Sequence, residues 1–218
     1  MTRESVFASV RAALQNGDTT AREPDDALHR RLQTPAPGIR PEVAGDIEQA
    51  FFKRLDLVQT SYQQIDSIAD VPAAAGTWRQ SIEADGAMAV APALAHLDWS
   101  GIEDLHFGRA QAKDNFGVST CRAGIAETGG VLLAGTADDP ATLAFLPENH
   151  IVVIRSEQLV RHIEDAWPLL RASNAPMPRS INFNTGPSRT ADIEQTLEIG
   201  AHGPRRMHLL YIRSNGAG

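Results

Sequence analysis

Cysteine is nearly absent from this sequence, whose 218 residues include only Cys121. An internal disulfide framework is therefore excluded, because a disulfide needs two cysteines. An iron–sulfur cluster or a thiolate zinc site built from this chain alone is excluded as well, since such sites take several cysteine ligands. The seven histidines show no metal-binding spacing such as His-Glu-x-x-His. We expect neither a metal nor another cofactor in this chain.

Long apolar runs are absent too. The longest, residues 86–95, is far short of the roughly 20 residues of a membrane-spanning helix and contains Pro92. The amino-terminal residues form an amphipathic pattern and no cleavable signal sequence. The formal net charge of −7 disfavours nucleic acid as a partner. Since the motifs G-x-G-x-x-G after a strand and G-x-x-x-x-G-K-[ST] are also missing, we expect a cytoplasmic protein that is not a nucleotide enzyme of either type.

What the sequence does contain is the apolar content of a folded domain, 42% against 22% charged residues. Residues 1–65 predict an N-terminal extension that packs on the core, with a helix over 3–15, a proline-rich connector over 19–41 and a long helix over 42–65. Residues 66–218 alternate between strand and helix patterns, which predicts an α/β domain of three layers with helices on both faces of the sheet. The predicted strands cover 87–91, 130–134, 142–146, 151–154, 180–183 and 207–212, a further strand ends near 117–118, and the segments 73–83 and 158–171 are helices, with a turn or short helix over 120–126.

The stretch 182–212 has the densest local signals. A Gly-Pro pair ends the strand before it, because proline fixes its own φ and restricts the preceding residue. The sequence Ser-Arg-Thr-Ala-Asp-Ile-Glu then predicts a short helix that begins near Ser188 and ends at Gly200. A second Gly-Pro turn and a buried strand over 207–212 follow.

Three sequence blocks together resemble the LUD-domain family. The first is Gly-Pro-Ser-Arg-Thr-Ala-Asp-Ile-Glu at 186–194, followed by Gly-Ala-His-Gly-Pro at 200–204. The second is Gly-Ile-Ala-Glu-Thr-Gly-Gly-Val-Leu-Leu at 124–133, and the third is Leu-Pro-Glu-Asn-His-Ile-Val-Val at 146–153. The blocks occur in the family's order and cover the chain from about Gly117 onward, so together they are far more specific than any one alone.

The resemblance implies the fold shared by ribose-5-phosphate isomerase, glucosamine-6-phosphate deaminase and the CoA transferases, but not their activities. It also implies a role in the oxidation of L-lactate to pyruvate, with separately encoded iron–sulfur proteins as partners. This chain would then be a subunit without redox centres, and not a catalyst on its own. The alternative is a stand-alone enzyme or binding protein for a small anionic metabolite, such as a sugar phosphate, a CoA ester or a folate-like compound.

Ligands of open α/β sheets bind beyond the carboxyl ends of the strands. We therefore expect the loops near Glu127, after Ile154 and after Phe183 to meet on one rim of the sheet and to form the site. Glu127 is the candidate catalytic residue, although its carboxylate could instead cap backbone amides of the tight turn that follows. Thr128 and Gly129 beside it are ligand-binding candidates.

A second candidate is an anion site at residues 186–192, because the N-terminus of the predicted helix would offer free amides to a phosphate or carboxylate. The same polar residues could instead cap the helix. His150 is a third candidate, although a histidine next to a buried strand can serve only to anchor it. The resemblance implies an acid at the position of Arg122, so a site that used that acid would be altered here. The ligand-binding candidates in the loop are Gly186, Ser188, Arg189, Thr190 and Asp192.

Overall fold

The computed structural model describes most of the chain, namely residues 2–16, 25–33, 38–172, 177–191 and 197–213. The chain forms two compact units, Met1–Arg40 and Pro41–Gly218. The first unit contains helices α1 (Arg3–Asn16) and α2 (Asp25–Gln33). Helix α1 confirms the predicted first helix, whereas α2 lies inside the predicted connector. Its nine residues contain neither proline nor glycine, so they form a helix between the prolines that suggested an extended segment.

The second unit is built on a six-stranded sheet in which all neighbouring strands are parallel. In spatial order its strands are β1 (Ser61–Ile65), β12 (Arg206–Ile212), β7 (Asn149–Arg155), β4 (Asp114–Thr120), β2 (Ala87–Val90) and β3 (Leu105–Phe107). Every residue of β12 except the first, and of β7 except the last, is buried, as expected for strands covered on both faces. The strands predicted at 87–91, 151–154 and 207–212 are confirmed.

A second sheet has four strands of mixed direction. In spatial order they are β8 (Leu159–Val160), β5 (Ala123–Ile125), β6 (Gly130–Gly135) and β9 (Ser180–Asn184). The pairs β5–β6 and β6–β9 are antiparallel, and the pair β5–β8 is parallel. The strands predicted at 130–134 and 180–183 are confirmed.

Two local predictions in this region are wrong. The sequence predicts a turn or short helix over 120–126, but the second half of this segment is strand β5, which forms a tight hairpin with β6. The segment 142–146 was expected to return as a strand beside β6. Instead Ala141–Ala144 forms a short 3-10 helix, and β9 pairs with β6.

Three buried apolar clusters show how the layers stack. Helix α4 (Val71–Ser81) covers one face of the main sheet, with Trp78 in the same cluster as Ile151. On the other face, α3 (Ile47–Leu57) and the second sheet pack against the alternate residues of β7 and β12. Helix α5 (Ile163–Ala172) covers the outer face of the second sheet. The α/β class is confirmed, but the three predicted layers become four because a second sheet separates the main sheet from α5.

The long helix predicted over 42–65 is shorter in the structure. Asp46 caps its start, because Oδ1 accepts a hydrogen bond of 3.0 Å from the Gln49 amide. The helix ends at Leu57, and the left-handed backbone of Gln59 (φ 58°) turns the chain into the edge strand β1. The segment predicted as an extension therefore supplies a helix and an edge strand to the α/β unit. Neither this helix nor any other in the described ranges is long and apolar enough to cross a bilayer.

The short helix predicted between Ser188 and Gly200 is replaced by a hairpin. Strands β10 (Arg189–Ala191) and β11 (Leu197–Ile199) pair antiparallel, so the backbone groups bond across the hairpin instead of along a helix. Gly200, predicted as a helix stop, has φ 87° and turns the chain out of β11. Asp192 lies outside the described residues.

Helix α5 begins at Ile163, later than the predicted start at residue 158. Oε1 of Glu127 accepts a hydrogen bond of 3.0 Å from the Ile163 amide, and Oε2 lies 2.9 Å from Nδ1 of His162. The Glu127 amide in turn donates to the Arg161 carbonyl at 3.0 Å. The carboxylate therefore caps the N-terminus of α5, where the helix dipole favours negative charge.

The carboxylate of Asp139 holds the 136–140 turn against the end of β4. It accepts hydrogen bonds from the amide and the hydroxyl of Thr120, at 2.8 and 2.5 Å. Burial raises the pKa of Asp139 to about 6, although the Thr120 hydrogen bonds and the nearby Arg122 charge act in the opposite direction. The folded protein therefore keeps a proton on Asp139 at pH values where the unfolded chain has released it.

The cap predicts a stability loss in variants of Glu127. We expect Glu127→Ala to lower the free energy of unfolding by about 1–2 kcal/mol, because the Ile163 amide loses its acceptor. Glu127→Gln should lose less, since one side-chain oxygen remains. Urea unfolding at neutral pH measures both, with the exposed Glu103→Ala as control, for which we expect a change below about 0.5 kcal/mol. Equal losses in Glu127→Ala and the control would exclude the capping role.

The raised pKa of Asp139 makes stability depend on pH with a definite sign. Between about pH 4 and pH 6 the folded state binds more protons here than the unfolded state, so the free energy of unfolding falls as pH rises. Asp139→Asn should remove this contribution. From about pH 4.5 to about pH 7.5, the wild type should therefore lose about 2 kcal/mol of unfolding free energy relative to the variant in urea titrations. A difference that stays constant over this range contradicts the assignment.

Candidate functional site

A cleft of about 180 Å³ opens at the amino ends of β1 and β12. Its walls come from the loop before each of these strands, from the end of α4, and from the hairpin β10–β11 with the loop that precedes it. We call it the amino-edge cleft. The residues that carry its polar and aromatic character are Ser61, Trp78, Arg189, Arg205 and Arg206.

Three arginines make the amino-edge cleft basic. Arg189 donates to Oε1 of Gln59, and Nη1 of Arg206 donates to Oδ1 of Asn149 at 3.3 Å. The guanidinium of Arg205 makes no hydrogen bond or ion pair with a side chain that the structure describes. No aspartate or glutamate is among the described residues of the lining. In a protein of net charge −7 this arrangement favours a ligand with a carboxylate or phosphate group, which guanidinium binds with two parallel hydrogen bonds.

A serine–histidine pair lies beside these arginines. Oγ of Ser61 is 2.8 Å from Nδ1 of His208 and 3.4 Å from the Met207 carbonyl. The His208 ring stacks on Trp78, with 4.8 Å between ring centroids. Burial lowers the pKa of His208 to about 4, so the ring is neutral near pH 7 and adds no charge to the cleft. The histidine holds the Ser61 hydroxyl in place, and that hydroxyl can hydrogen-bond to a ligand.

Ser188 is anchored by its own backbone. Its amide donates to the Pro204 carbonyl at 2.9 Å, and its carbonyl accepts from the Gly200 amide at 3.0 Å. Its Oγ accepts from the His202 amide at 3.3 Å. Because strand β10 follows instead of a helix, the predicted anion site at a helix N-terminus is wrong in that form. Of the candidates in this loop, Arg189 lines the amino-edge cleft.

The other predicted ligand-binding residues of that loop are Gly186, Thr190 and Asp192. Gly186 has φ 78°, and a Cβ there would lie 2.4 Å from the Val58 carbonyl oxygen, so the position requires glycine. The backbone of Thr190 belongs to β10. Asp192, as noted above, is outside the described residues.

Only two of the three loops predicted to share a rim are adjacent. The register of β6 against β9 places the 127–129 turn beside the loop 185–187. The loop after Ile154, in contrast, lies at the carboxyl end of β7. Ser188 contacts Pro204 at the amino end of β12, which runs parallel to β7. The single-rim prediction is therefore wrong, since the loops lie at opposite ends of parallel strands.

The candidates on the 127–129 turn serve the local structure. Oγ1 of Thr128 accepts from the Gly130 amide at 3.1 Å. Gly129 has φ 73°, and a Cβ there would lie 2.8 Å from the Cβ of Arg54, so the position requires glycine. Both carboxylate oxygens of Glu127 are bound at the start of α5. The structure thus favours a capping role for Glu127 over that of a free base.

His150 and Cys121 are buried. Nε2 of His150 lies 2.8 Å from Oγ of Ser119, and this contact joins β7 to β4. Burial lowers the pKa of His150 to about 3 and raises the pKa of the Cys121 thiol. The histidine is therefore neutral and the cysteine protonated near pH 7, which suits an anchor and a small core residue.

Sequence reasoning missed Arg205, Arg206 and the Ser61–His208 pair. One usable signal was present, because two adjacent arginines stand at the start of a run, residues 207–212, that is apolar apart from His208. Ser61 carried no such signal. Only the parallel pairing of β1 with β12 places it opposite His208.

The sequence is similar to those of several known proteins. The model of the LUD domain matches residues 78–212. The "Lactate utilization protein C" of Anoxybacillus flavithermus is 36% identical over 103 residues, which are 47% of this chain and 46% of that protein. The "Lactate utilization protein C" of Geobacillus thermodenitrificans is 27% identical over 192 residues, 77% of this chain and 78% of that protein. The aligned part of the chain thus spans less than half the length of the first relative.

A solved structure has a similar fold. The crystal structure of a DUF162 family protein from Deinococcus radiodurans superposes with a TM-score of 0.56 at 21% identity, and covers 79% of this chain and 99% of that one. This likeness concerns the fold alone. The match to the family model, in contrast, extends over more than half of the chain and includes the arginines at 189, 205 and 206. The chain belongs to the LUD domain family.

Proposed function

We propose that this protein takes part in lactate utilization and that it binds a small carboxylate in the amino-edge cleft. The role is suggested by the two relatives named "Lactate utilization protein C". The observation that carries the binding proposal is the presence of three arginines in a cleft whose described lining has no acidic residue. A volume of about 180 Å³ suits a compact ligand, and the Ser61 hydroxyl adds a polar contact beside the guanidinium groups.

We further propose that the protein is a non-catalytic component that works with separate iron–sulfur subunits. Its one cysteine is buried, so iron–sulfur clusters would belong to the partners. The carboxylate of Glu127, the candidate base, is engaged in capping α5. Binding of the carboxylate substrate or product would then regulate or position the partners.

A second candidate function is that of a stand-alone enzyme or binding protein for a small anionic metabolite. The amino-edge cleft is compatible with this second function too, because guanidinium groups bind the anionic groups of sugar phosphates, CoA esters and folates as well as that of lactate. The parallel main sheet also supports a fold related to the ribose-5-phosphate isomerase, glucosamine-6-phosphate deaminase and CoA transferase group. Likeness of fold does not transfer an activity.

The binding proposal predicts the effect of neutralising the cleft. We expect L-lactate to bind the wild-type protein and Arg205→Gln to weaken that binding about tenfold or more, because a charge-assisted hydrogen bond contributes roughly 1.5–3 kcal/mol. Isothermal titration calorimetry measures both affinities. The matched control is Arg109→Gln, an exposed arginine outside the cleft, which should leave the affinity unchanged. If lactate binds neither protein while another anion binds only the wild type, the second candidate function is supported instead.

The role in lactate utilization predicts a growth defect. A strain that lacks this protein should fail to grow on L-lactate as sole carbon source and should grow normally on pyruvate, because only lactate oxidation is impaired. Re-expression of the wild type should restore growth, and affinity purification of the tagged protein should recover iron–sulfur proteins. Normal growth of the deletion strain on L-lactate would rule out the proposed role. Recovery of growth without iron–sulfur proteins in the purification would remove only the partner proposal.

A further inference from the structure

A second basic cleft, of about 210 Å³, lies at the opposite end of the main sheet. It opens beyond the carboxyl ends of β4 and β7, the position at which open α/β sheets bind ligands. We call it the carboxyl-edge cleft. Its polar wall includes His96, Arg122 and Arg155, and its apolar wall includes Ile68, Leu94 and Val153.

The pairing of β4 with β7 places Arg122 and Arg155 at equivalent positions along the two neighbouring chain segments. Thr120 of β4 is paired with Val153 of β7, and each arginine follows its member of the pair by two residues. The side chain of Gln158 ties the two segments together. Its Nε2 donates to the Cys121 carbonyl at 2.6 Å, and its Oε1 accepts from the Arg155 amide at 2.8 Å. The backbone that carries both guanidinium groups is therefore fixed before any ligand arrives.

The two guanidinium groups lack a carboxylate partner in the described part of the chain. Neither Arg122 nor Arg155 forms an ion pair or a side-chain hydrogen bond there, and the described lining contains no acidic residue. The carboxylate of Asp139 accepts both donors of Thr120, so Thr120 is not available to a ligand. The positive charge of Arg122 acts on this carboxylate and lowers its pKa, but no hydrogen bond joins the two side chains in the described contacts.

We propose that the carboxyl-edge cleft binds the phosphate group of a small phosphorylated metabolite. Arg122 from the loop after β4, Arg155 from the end of β7 and His96 from a separate loop line the cleft with hydrogen-bond donors from three segments of the chain. Such an arrangement matches the several acceptor oxygens of a tetrahedral phosphate better than a planar carboxylate, which one guanidinium can satisfy. The apolar wall accommodates the carbon skeleton of the metabolite. This site is separate from the amino-edge cleft and does not depend on the function proposed for it.

Arginine variants at the two ends of the sheet test the site. Isothermal titration of the full chain with inorganic phosphate and with glycerol 3-phosphate should show binding that Arg122→Gln and Arg155→Gln each weaken about tenfold or more. Arg109→Gln, an exposed arginine outside both clefts, is the matched control and should leave phosphate affinity unchanged. Thermal unfolding of each variant confirms that it is folded. Glycerol 3-phosphate should bind more tightly than inorganic phosphate, because only the former uses the apolar wall.

The variant Asp139→Asn tests the site independently, because it should strengthen phosphate binding whereas the arginine variants weaken it. Removal of the neighbouring negative charge should strengthen phosphate binding at about pH 7.5, where the wild-type carboxyl is ionised. Absence of phosphate binding to the wild type, or equal binding to the wild type and Arg122→Gln, would overturn the proposal. Loss of phosphate binding in Arg205→Gln but not in Arg122→Gln would overturn it too, because the phosphate would then occupy the amino-edge cleft. Lactate titrations report on the amino edge separately, so either proposal can fail alone.

Discussion

The parallel pairing of β12 with β1 on one side and β7 on the other is the interaction on which the rest of the structure depends. Strand β12, the last strand in the part of the chain that the structure describes, is inserted between the first strand of the sheet and an interior one, and its buried apolar residues divide between the two large apolar clusters. This insertion sets the loop before β1 beside the loop before β12. Ser61 and His208, which are far apart in sequence, thereby become register partners with a hydrogen bond between their side chains. The amino-edge cleft exists because of this pairing.

Three carboxylates of this acidic protein accept hydrogen bonds from the backbone. Glu127 and Asp46 cap helices, and Asp139 fastens a turn to the end of β4. These acids accept hydrogen bonds from backbone amides, and in the described contacts none of them forms an ion pair with an arginine of the two clefts. An acidic protein can in this way present two basic clefts. The electrostatic consequence is that small anions are the ligands that both ends of the sheet favour.

Prediction from sequence succeeded where the local pattern and the tertiary environment agree. A run of β-branched residues predicts β7 and a run rich in Leu, Met and aromatic residues predicts β12, because strands covered on both faces are mostly apolar. Prediction from sequence failed where a polar segment becomes a strand only because it pairs with a neighbouring strand. Strand β1, Ser-Tyr-Gln-Gln-Ile, continues the helical spacing of α3 in sequence and becomes a strand only because β12 offers it hydrogen bonds. The hairpin β10–β11 shows the same effect, since its helix-like caps and acidic residues are outweighed by cross-strand pairing.

The sequence by itself determined the α/β class, the buried strands and the family blocks, because these depend on composition and on short-range patterns. Tertiary structure alone decided which side chains share a site. The sequence predicts that the candidate loops are neighbours on one rim, but parallel strands separate amino ends from carboxyl ends, and the loops lie at both edges of the sheet. Strand order is set by packing over the whole sheet, which no short stretch of sequence specifies. For that reason the arginines of both clefts became a site only when β12 and β7 were placed in the sheet.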